Sequence, residues 1–387
     1  MFNRRSFLTA ATTLILSAVM AGCQPEGNLR VLLLQASIPV QLIAAFRKEF
    51  NQARKLVFKP ESQLEDLFKL LQTWQGKTNH QAEKSQFTLP TLSFKSTTPV
   101  ISNLVTLGDY WLTEAIKQQL IEPLTVENIP NWNQLPSRFA ELVTRNNQGL
   151  LDGQGNVWGA PYRWGCTMIA YRVDEFNKLG WQPTDWSDLW RKELGDRFSL
   201  LNHPREVIGL TLKKLGYSYN TSDLSNISQL KSDLIALNKQ VKFYDSTNYL
   251  QPLILGDTWL AVGWSSDILP IVKRYANIES VIPVSGTSLW ADLWVKPKNN
   301  QGSNPEVINN WINFCWQPKS AKQISLFTNA ASPMLFSLNK SELSQDIVNN
   351  ALIYPPSDVM NKSDFILPLA EGVVHKYQQL WQEIRQT

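Results

Sequence analysis

The chain has 387 residues, 43% of them hydrophobic, with a formal net charge of +4. That length accommodates two domains with sizeable cores, and the composition is that of a globular protein. No block of basic residues points to nucleic acid. Arg4 and Arg5 supply part of the excess, so the rest of the chain is nearly balanced and any cation site must be built locally.

The N-terminus reads as an export signal. Asn3-Arg4-Arg5-Ser6-Phe7-Leu8 carries a twin arginine followed by x-Phe-Leu, the pattern of the twin-arginine route. The apolar run from Leu8 to Ala21 is shorter than the roughly 18 residues of a membrane span. Ala21-Gly22-Cys23 places small residues directly before a cysteine, as in a bacterial lipoprotein box, although Met20 stands where leucine is usual. Two readings stay open: a lipid-anchored periplasmic protein acylated at Cys23, or an ordinary signal with an unmodified cysteine. Residues 1–28 are set aside from the fold as signal and linker.

The folded part opens with Leu29–Leu34, a continuous apolar run that predicts a buried strand. Pro39 then starts a helix, where its missing N–H costs nothing, and Leu42, Phe46 and Phe50 fall on one face. Leu56–Lys59 reads as a second strand. A second amphipathic helix with Leu64, Leu67, Phe68, Leu71 and Trp74 follows, and this β-α-β order predicts a parallel sheet. Gln75–Val100, rich in Gln, Ser, Thr and Lys, reads as a surface insertion. Ile101–Leu107 resumes as a strand and leads at Gly108-Asp109-Tyr110 into a helix to Leu120, with Asp109 as its expected N-cap. A strand end feeding a helix start is where open α/β sheets place ligands.

After a turn at 152–156, the extended stretch Val157–Tyr171 has the length to run from one lobe to another. Further on come a short helix at 185–190, a strand at 198–201 and a helix from Pro204 to Leu215 stopped by Gly216. A helix at 230–237 and strands at 242–244 and 259–263 precede helices at 305–316, 318–327 and about 368–384.

Chemistry concentrates in two Trp–acid pairs within thirty residues of each other, Trp264/Asp267 and Trp290/Asp292. An aromatic face attracts an organic cation and a carboxylate neutralises it, so pairs that share a cleft would hold an amine. Each residue also has a plainer reading. The tryptophans suit a core, Asp267 suits a helix cap, and Asp292, set in an apolar run, needs a partner such as an amine or Arg163. Cys166 and Cys315 sit in apolar contexts and read as buried thiols, with pairing left open. There is no CxxC and the three histidines are far apart, so neither metal nor cofactor is expected. Ser265-Ser266 has no histidine or acid placed to make a nucleophile, so no catalysis is expected there.

From residue 157 onward the chain resembles the periplasmic spermidine/putrescine-binding proteins of ABC transporters, within the extracellular solute-binding proteins. The carrying residues are Trp158-Gly159-Ala160-Pro161-Tyr162-x-Trp164-Gly165-x-Thr167-x-Ile169-Ala170-Tyr171 and Trp186-x-Asp188-Leu189-Trp190. Arg205-Glu206-Val207, Leu215-Gly216-Tyr217, Gly263-Trp264, Trp290-x-Asp292 and Ile312-Asn313-Phe314 with Gln317-Pro318-x-x-Ala321 follow in order. The N-terminal third matches only by its βα pattern, Tyr110 and Ile121-x-Pro123-Leu124.

The resemblance implies an α/β, two-lobe periplasmic binding protein fold with hinge crossovers, closing on a ligand in the central cleft. Lobe 1 would comprise 29–163 and 288–335, and lobe 2 would comprise 164–287 and 336–387. It implies a monomer that hands a polyamine to a membrane permease, with ligand contacts from Trp264, Asp267, Trp290, Asp292, Glu206 and Tyr110. The chain departs from that pattern at Gln35–Pro39, which lacks the family's aromatics, and at Gly108, His203, Phe327–Ala330 and Ile366. Those departures leave room for another small organic ligand, or for a sensory binding subunit.

Overall fold

The computed structural model describes residues 30–50, 56–77, 101–300 and 304–387. The export signal, Cys23 and nearly all of the 75–100 insertion lie outside the described residues.

The first lobe begins as expected. Strand β1 (Arg30–Leu34) leads to helix α1 (Val40–Glu49), which buries Leu42 and Phe46. Strand β2 (Val57–Glu61) and helix α2 (Leu64–Trp74) follow, with Leu67, Phe68 and Leu71 inward. Strand β3 (Leu104–Gly108) pairs parallel to β1, as does β2. After β3 a single 3-10 turn, Asp109–Trp111, precedes helix α3 (Leu112–Lys117), which ends short of Leu120. Gly108 occupies the cap position and Asp109 makes no capping bond there, so the expected N-cap role is corrected: its carboxylate is turned elsewhere.

The long strand β4 (Ala160–Arg172) leads to β5 (Phe198–Leu200), helix α4 (Pro204–Lys214), helix α5 (Leu230–Asn238) and β6 (Phe243–Tyr244). Strand β7 (Leu260–Trp264) runs directly into helix α6 (Ser265–Arg274), followed by β8 (Ile278–Val281) and the second long strand, β9 (Ser288–Pro297). Helices α7 (Pro305–Cys315) and α8 (Pro318–Phe327), strand β10 (Asp364–Phe365) and helix α9 (Glu371–Arg385) close the chain.

The strand order β2-β1-β3-β9-β4-β7-β5-β6 explains how the lobes are joined. Both ends are parallel, β2/β1/β3 and β7/β5/β6, whereas the middle steps β3/β9, β9/β4 and β4/β7 are antiparallel. Ala160–Cys166 of β4 pairs with β9, and Thr167–Tyr171 pairs with β7. One strand thus serves two ladders, as the extended stretch predicted. A bulge between Asp292 and Leu293 skips Tyr162. Freed from the ladder, Tyr162 stacks on Trp294 at 4.3 Å and its hydroxyl meets Thr106 Oγ1 at 3.1 Å, while Arg163 is left directly opposite Asp292.

Core side chains form two clusters. One holds Trp164, Trp294, Trp311 and Trp316; the other holds Phe176, Trp186, Tyr219 and Leu234. The C-terminal quarter contributes to both clusters. Leu343, Ile347, Ile353, Met360 and Phe365 join the first cluster, while Tyr377 and Ile384 of α9 join the second, with Val373, Leu380 and Trp381 packed against it. The residues between α8 and β10 are short turns of helix whose isolated apolar side chains pack back toward the first core. Cys166 and Cys315 are both buried and unpaired.

Candidate functional site

Glu206 anchors one side of the site. Proline at the first position of α4 fixes the helix start, and His203 caps it by accepting the Glu206 N–H on Nδ1 at 3.3 Å. That bond fixes His203 as the neutral tautomer, and burial lowers its pKa to about 4. An acid in the first turn is favoured by the helix dipole, yet Glu206 is also 95% buried. Thr167 Oγ1 donates to one carboxylate oxygen at 3.0 Å and Ser288 Oγ to the other at 2.6 Å. Both donors are neutral, and among the described residues no cation lies within ion-pair distance. Burial raises its carboxyl pKa.

Trp264 ends β7 and is half-buried. Its backbone N–H donates to the Tyr249 hydroxyl at 3.2 Å, and that hydroxyl donates to Asp267 Oδ2 at 2.8 Å. A side chain at Gly263 would run into the Tyr249 ring, so the glycine makes room for this arrangement. Asp267 lies in the first turn of α6 rather than at its cap, which is Trp264. It is exposed and also accepts from Ser266 Oγ at 3.2 Å.

Asp292 is 99% buried and already has a cation. Arg163 Nε donates to its Oδ2 at 2.6 Å across the β4/β9 ladder, and Arg163 Nη1 donates to the Thr328 carbonyl at 3.3 Å. Burial disfavours the guanidinium's charge, but Asp292 more than offsets this and holds its proton tighter than usual. The Arg163 guanidinium also lies 5.9 Å from the centre of the Trp290 ring. Of the two partners open to Asp292, the ligand amine or Arg163, the protein itself supplies one.

The two Trp–acid pairs meet at Gly165. A β-carbon there would collide with both the Trp290 ring and Ser265 Oγ. Ser265 opens α6 directly after Trp264 and accepts the Cys166 N–H at 3.1 Å. The absent side chain is what lets Trp290 lie against β4 beside Ser265, the residue next to Trp264.

Tyr110 stands across from α4. It is 56% exposed and meets the His203 ring edge-on at 5.0 Å. Both line a cavity of about 360 Å³ together with Asp109, Arg145, Arg205 and Ile366. Two of the positions that depart from the family pattern, His203 and Ile366, therefore face one space. Asp109 accepts the Ala291 N–H at 2.9 Å, and burial pushes its carboxyl up to about 7.

The structure brings together Glu206, Trp264 and, through Gly165, Trp290; Tyr110 joins them through His203. Asp267 stands at the exposed margin, and Asp292 is paired internally. Sequence reading missed Ser288, Thr167, Tyr249 and the true placement of Asp109. Only Asp109 carried a signal, as an acid at the end of a strand that faces a helix start.

Residues 101–363 match the bacterial extracellular solute-binding protein family. Among curated proteins, the chain is 26% identical to the spermidine/putrescine-binding periplasmic protein of Salmonella typhimurium over 264 residues, covering 68% of this chain and 72% of that protein. It is 27% identical to spermidine/putrescine-binding periplasmic protein 1 of Haemophilus influenzae over 283 residues, 73% and 74% of the two chains. Among solved structures, the spermidine/putrescine ABC transporter substrate-binding protein of Streptococcus pneumoniae superposes with a TM-score of 0.73 at 20% identity, covering 92% of this chain and 98% of that one. A GABA receptor structure superposes with a TM-score of 0.59 at 13% identity, covering 93% and 95%. These likenesses establish the periplasmic binding protein fold, and the match over 101–363 makes the chain a member of the bacterial extracellular solute-binding protein family.

Proposed function

We propose that this protein captures a polyamine in the cleft between its lobes and delivers it to an ABC transporter permease, binding its ligand without transforming it. The carrying observation is Glu206: a buried carboxylate held by two neutral hydroxyl donors, with no cation within ion-pair distance among the described residues, beside the half-buried Trp264. A protonated amine completes such a site, because a buried anion costs much unless it is paired. Trp264 and Trp290 pack the methylene chain, Tyr110 closes the far side, and Asp267 adds a weaker contact at the margin. Asp292 acts through Arg163 by fixing the position of Trp290. The relatives named for spermidine and putrescine support this reading. The twin-arginine signal and Cys23 support export and lipid anchoring of a monomer at the membrane that holds the permease.

Calorimetric titration of the mature protein with putrescine and spermidine tests the proposal. Binding of at least one is expected, with Glu206→Gln weakening it by about 1.5–3 kcal/mol, the scale of a hydrogen bond to a charged group. Absence of heat with either amine, in folded protein, rejects it. Metabolic labelling with a fatty-acid analogue tests the anchor: label lost in Cys23→Ala is expected, and an unlabelled wild type rejects it.

A further inference from the structure

The 360 Å³ cavity has a charge pattern that an amine site would not have. Lys117, Arg145 and Arg205 line it against two acids, Asp109 and Glu114, and Glu206, Trp264 and Trp290 are not among its walls. Lys117 and Arg145 follow elements packed on the first core cluster, whereas Arg205 belongs to α4, whose Val207 and Ile208 lie in the second. Cations therefore approach one space from both cores.

None of the three cations makes an ion pair among the described residues. Arg145 is 99% buried, and its Nε and Nη1 donate to Leu142 O and Thr113 Oγ1, both at 2.8 Å, and to Gly149 O at 3.4 Å. Burial lowers its pKa only to about 10, so it keeps its charge. Arg205 donates to the carbonyls of Leu367 and Tyr219 and to Asn220 Oδ1, and its buried Nε has no partner. The carboxylate next to it in sequence, Glu206, is held by Thr167 and Ser288. Lys117 is exposed. His203 adds a neutral donor: its Nδ1 accepts the Glu206 N–H, which places the ring proton on Nε2.

The two acids offset this poorly. Asp109 accepts the Ala291 N–H and, with its pKa pushed up to about 7, is half protonated near neutral pH. Glu114 is exposed and accepts from Gln118 Nε2 at 2.6 Å. An ammonium entering here would meet three like charges, whereas a planar carboxylate matches the guanidinium fork. The volume is far above the roughly 30 Å³ of one water. Trp111, Ile366 and Leu369 give it an apolar wall as well, which suits an organic body rather than a bare inorganic ion.

We propose that this cavity is a second ligand site, separate from the amine site at Glu206, and that it takes a small organic carboxylate between Arg145, Lys117 and Arg205. It stands whether or not a polyamine binds at Glu206.

Calorimetry with succinate on the mature protein tests it. A dissociation constant of about 1 mM or tighter is expected. Lys117→Glu reverses an exposed charge and should weaken succinate at least fivefold; Arg205→Gln should weaken it at least tenfold. Because Arg205 also ties down three backbone and side-chain acceptors, Lys117→Glu decides if that variant fails to fold. Asp109→Asn removes the opposing charge and should tighten succinate at least threefold at pH 8, a gain that a merely structural role would not give. Protein saturated with putrescine should keep its succinate affinity within threefold. No heat with succinate in folded wild type, or unchanged affinity in folded Lys117→Glu, overturns the site. Displacement of succinate by putrescine overturns its separateness. A wild type that binds succinate but neither putrescine nor spermidine upholds this site and rejects the polyamine reading alone.

Discussion

Glu206 and Asp292 are both carboxylates buried beside a tryptophan, and the molecule treats them in opposite ways. Asp292 meets a guanidinium from the neighbouring strand, whereas Glu206 meets two hydroxyls. An ion pair inside a protein is complete, and its worth lies in what breaking it would cost. A carboxylate ringed by neutral donors is prepared but incomplete, and a ligand cation finishes it. The difference teaches that an acid beside a tryptophan in sequence does not identify a ligand contact. What decides is whether the fold has already supplied the counter-charge.

The sharpest way to break the comparison is to remove the counter-charge. Arg163→Met leaves Asp292 as an unpaired buried anion and is expected to destabilise the protein by about 3–5 kcal/mol, read from urea unfolding. A loss below 1 kcal/mol would mean that the pair is structurally idle.

The second prediction concerns a buried acid, Asp109, that makes no ion pair among the described residues. Asp109 is raised from the ordinary 3.8 to about 7 by burial, so the ligand-free folded state holds its proton more tightly than the unfolded chain does. The favourable contribution is complete below about 3.8 and is lost as pH rises through 7. The penalty reaches up to roughly 4 kcal/mol above that range. Asp109→Asn should therefore be more stable than the wild type at pH 8, with the gap closing toward pH 4, in parallel urea titrations. Equal stability at pH 8 would contradict it.

A smaller effect is expected at the junction of the two pairs. Gly165→Ala forces Trp290 and Ser265 apart and should cost about 1–3 kcal/mol of stability, the range for overpacking, together with weaker ligand binding. A variant with wild-type melting and affinity would show that the junction is slack. The smallest effect is expected of Asp267→Asn. An exposed carboxylate contributes at most about 1 kcal/mol to holding a cation, so the amine dissociation constant should rise less than tenfold. A larger rise would move Asp267 from the margin to the centre of the site.

Most of the fold was legible because its signals are local. Pro39, Pro204, Pro305 and Pro318 mark helix starts, Gly216 marks an end, and the apolar run from Ala160 cannot be anything but buried. Glu206 and both tryptophans were singled out through the family motifs. What escaped needed long-range geometry. Nothing near Ser288 announces that its hydroxyl meets Glu206, 82 residues away. Asp109 reads as a helix cap by every local rule, and only the approach of Ala291 from β9 shows where its carboxylate goes. The core that 336–365 joins was not legible for the same reason. Its short helical turns have no periodic face to declare which core they join.

The strand shared by two ladders has a consequence for how the whole molecule melts. Every buried backbone group on Ala160–Arg172 needs a partner, and those partners come from β9 on one stretch and from β7 and β8 on the next. Neither lobe can lose its central ladder without stripping the strand that runs on into the other. Unfolding is therefore tied into one cooperative event, and a small molecule gripped only at the cleft raises the melting temperature of both halves together.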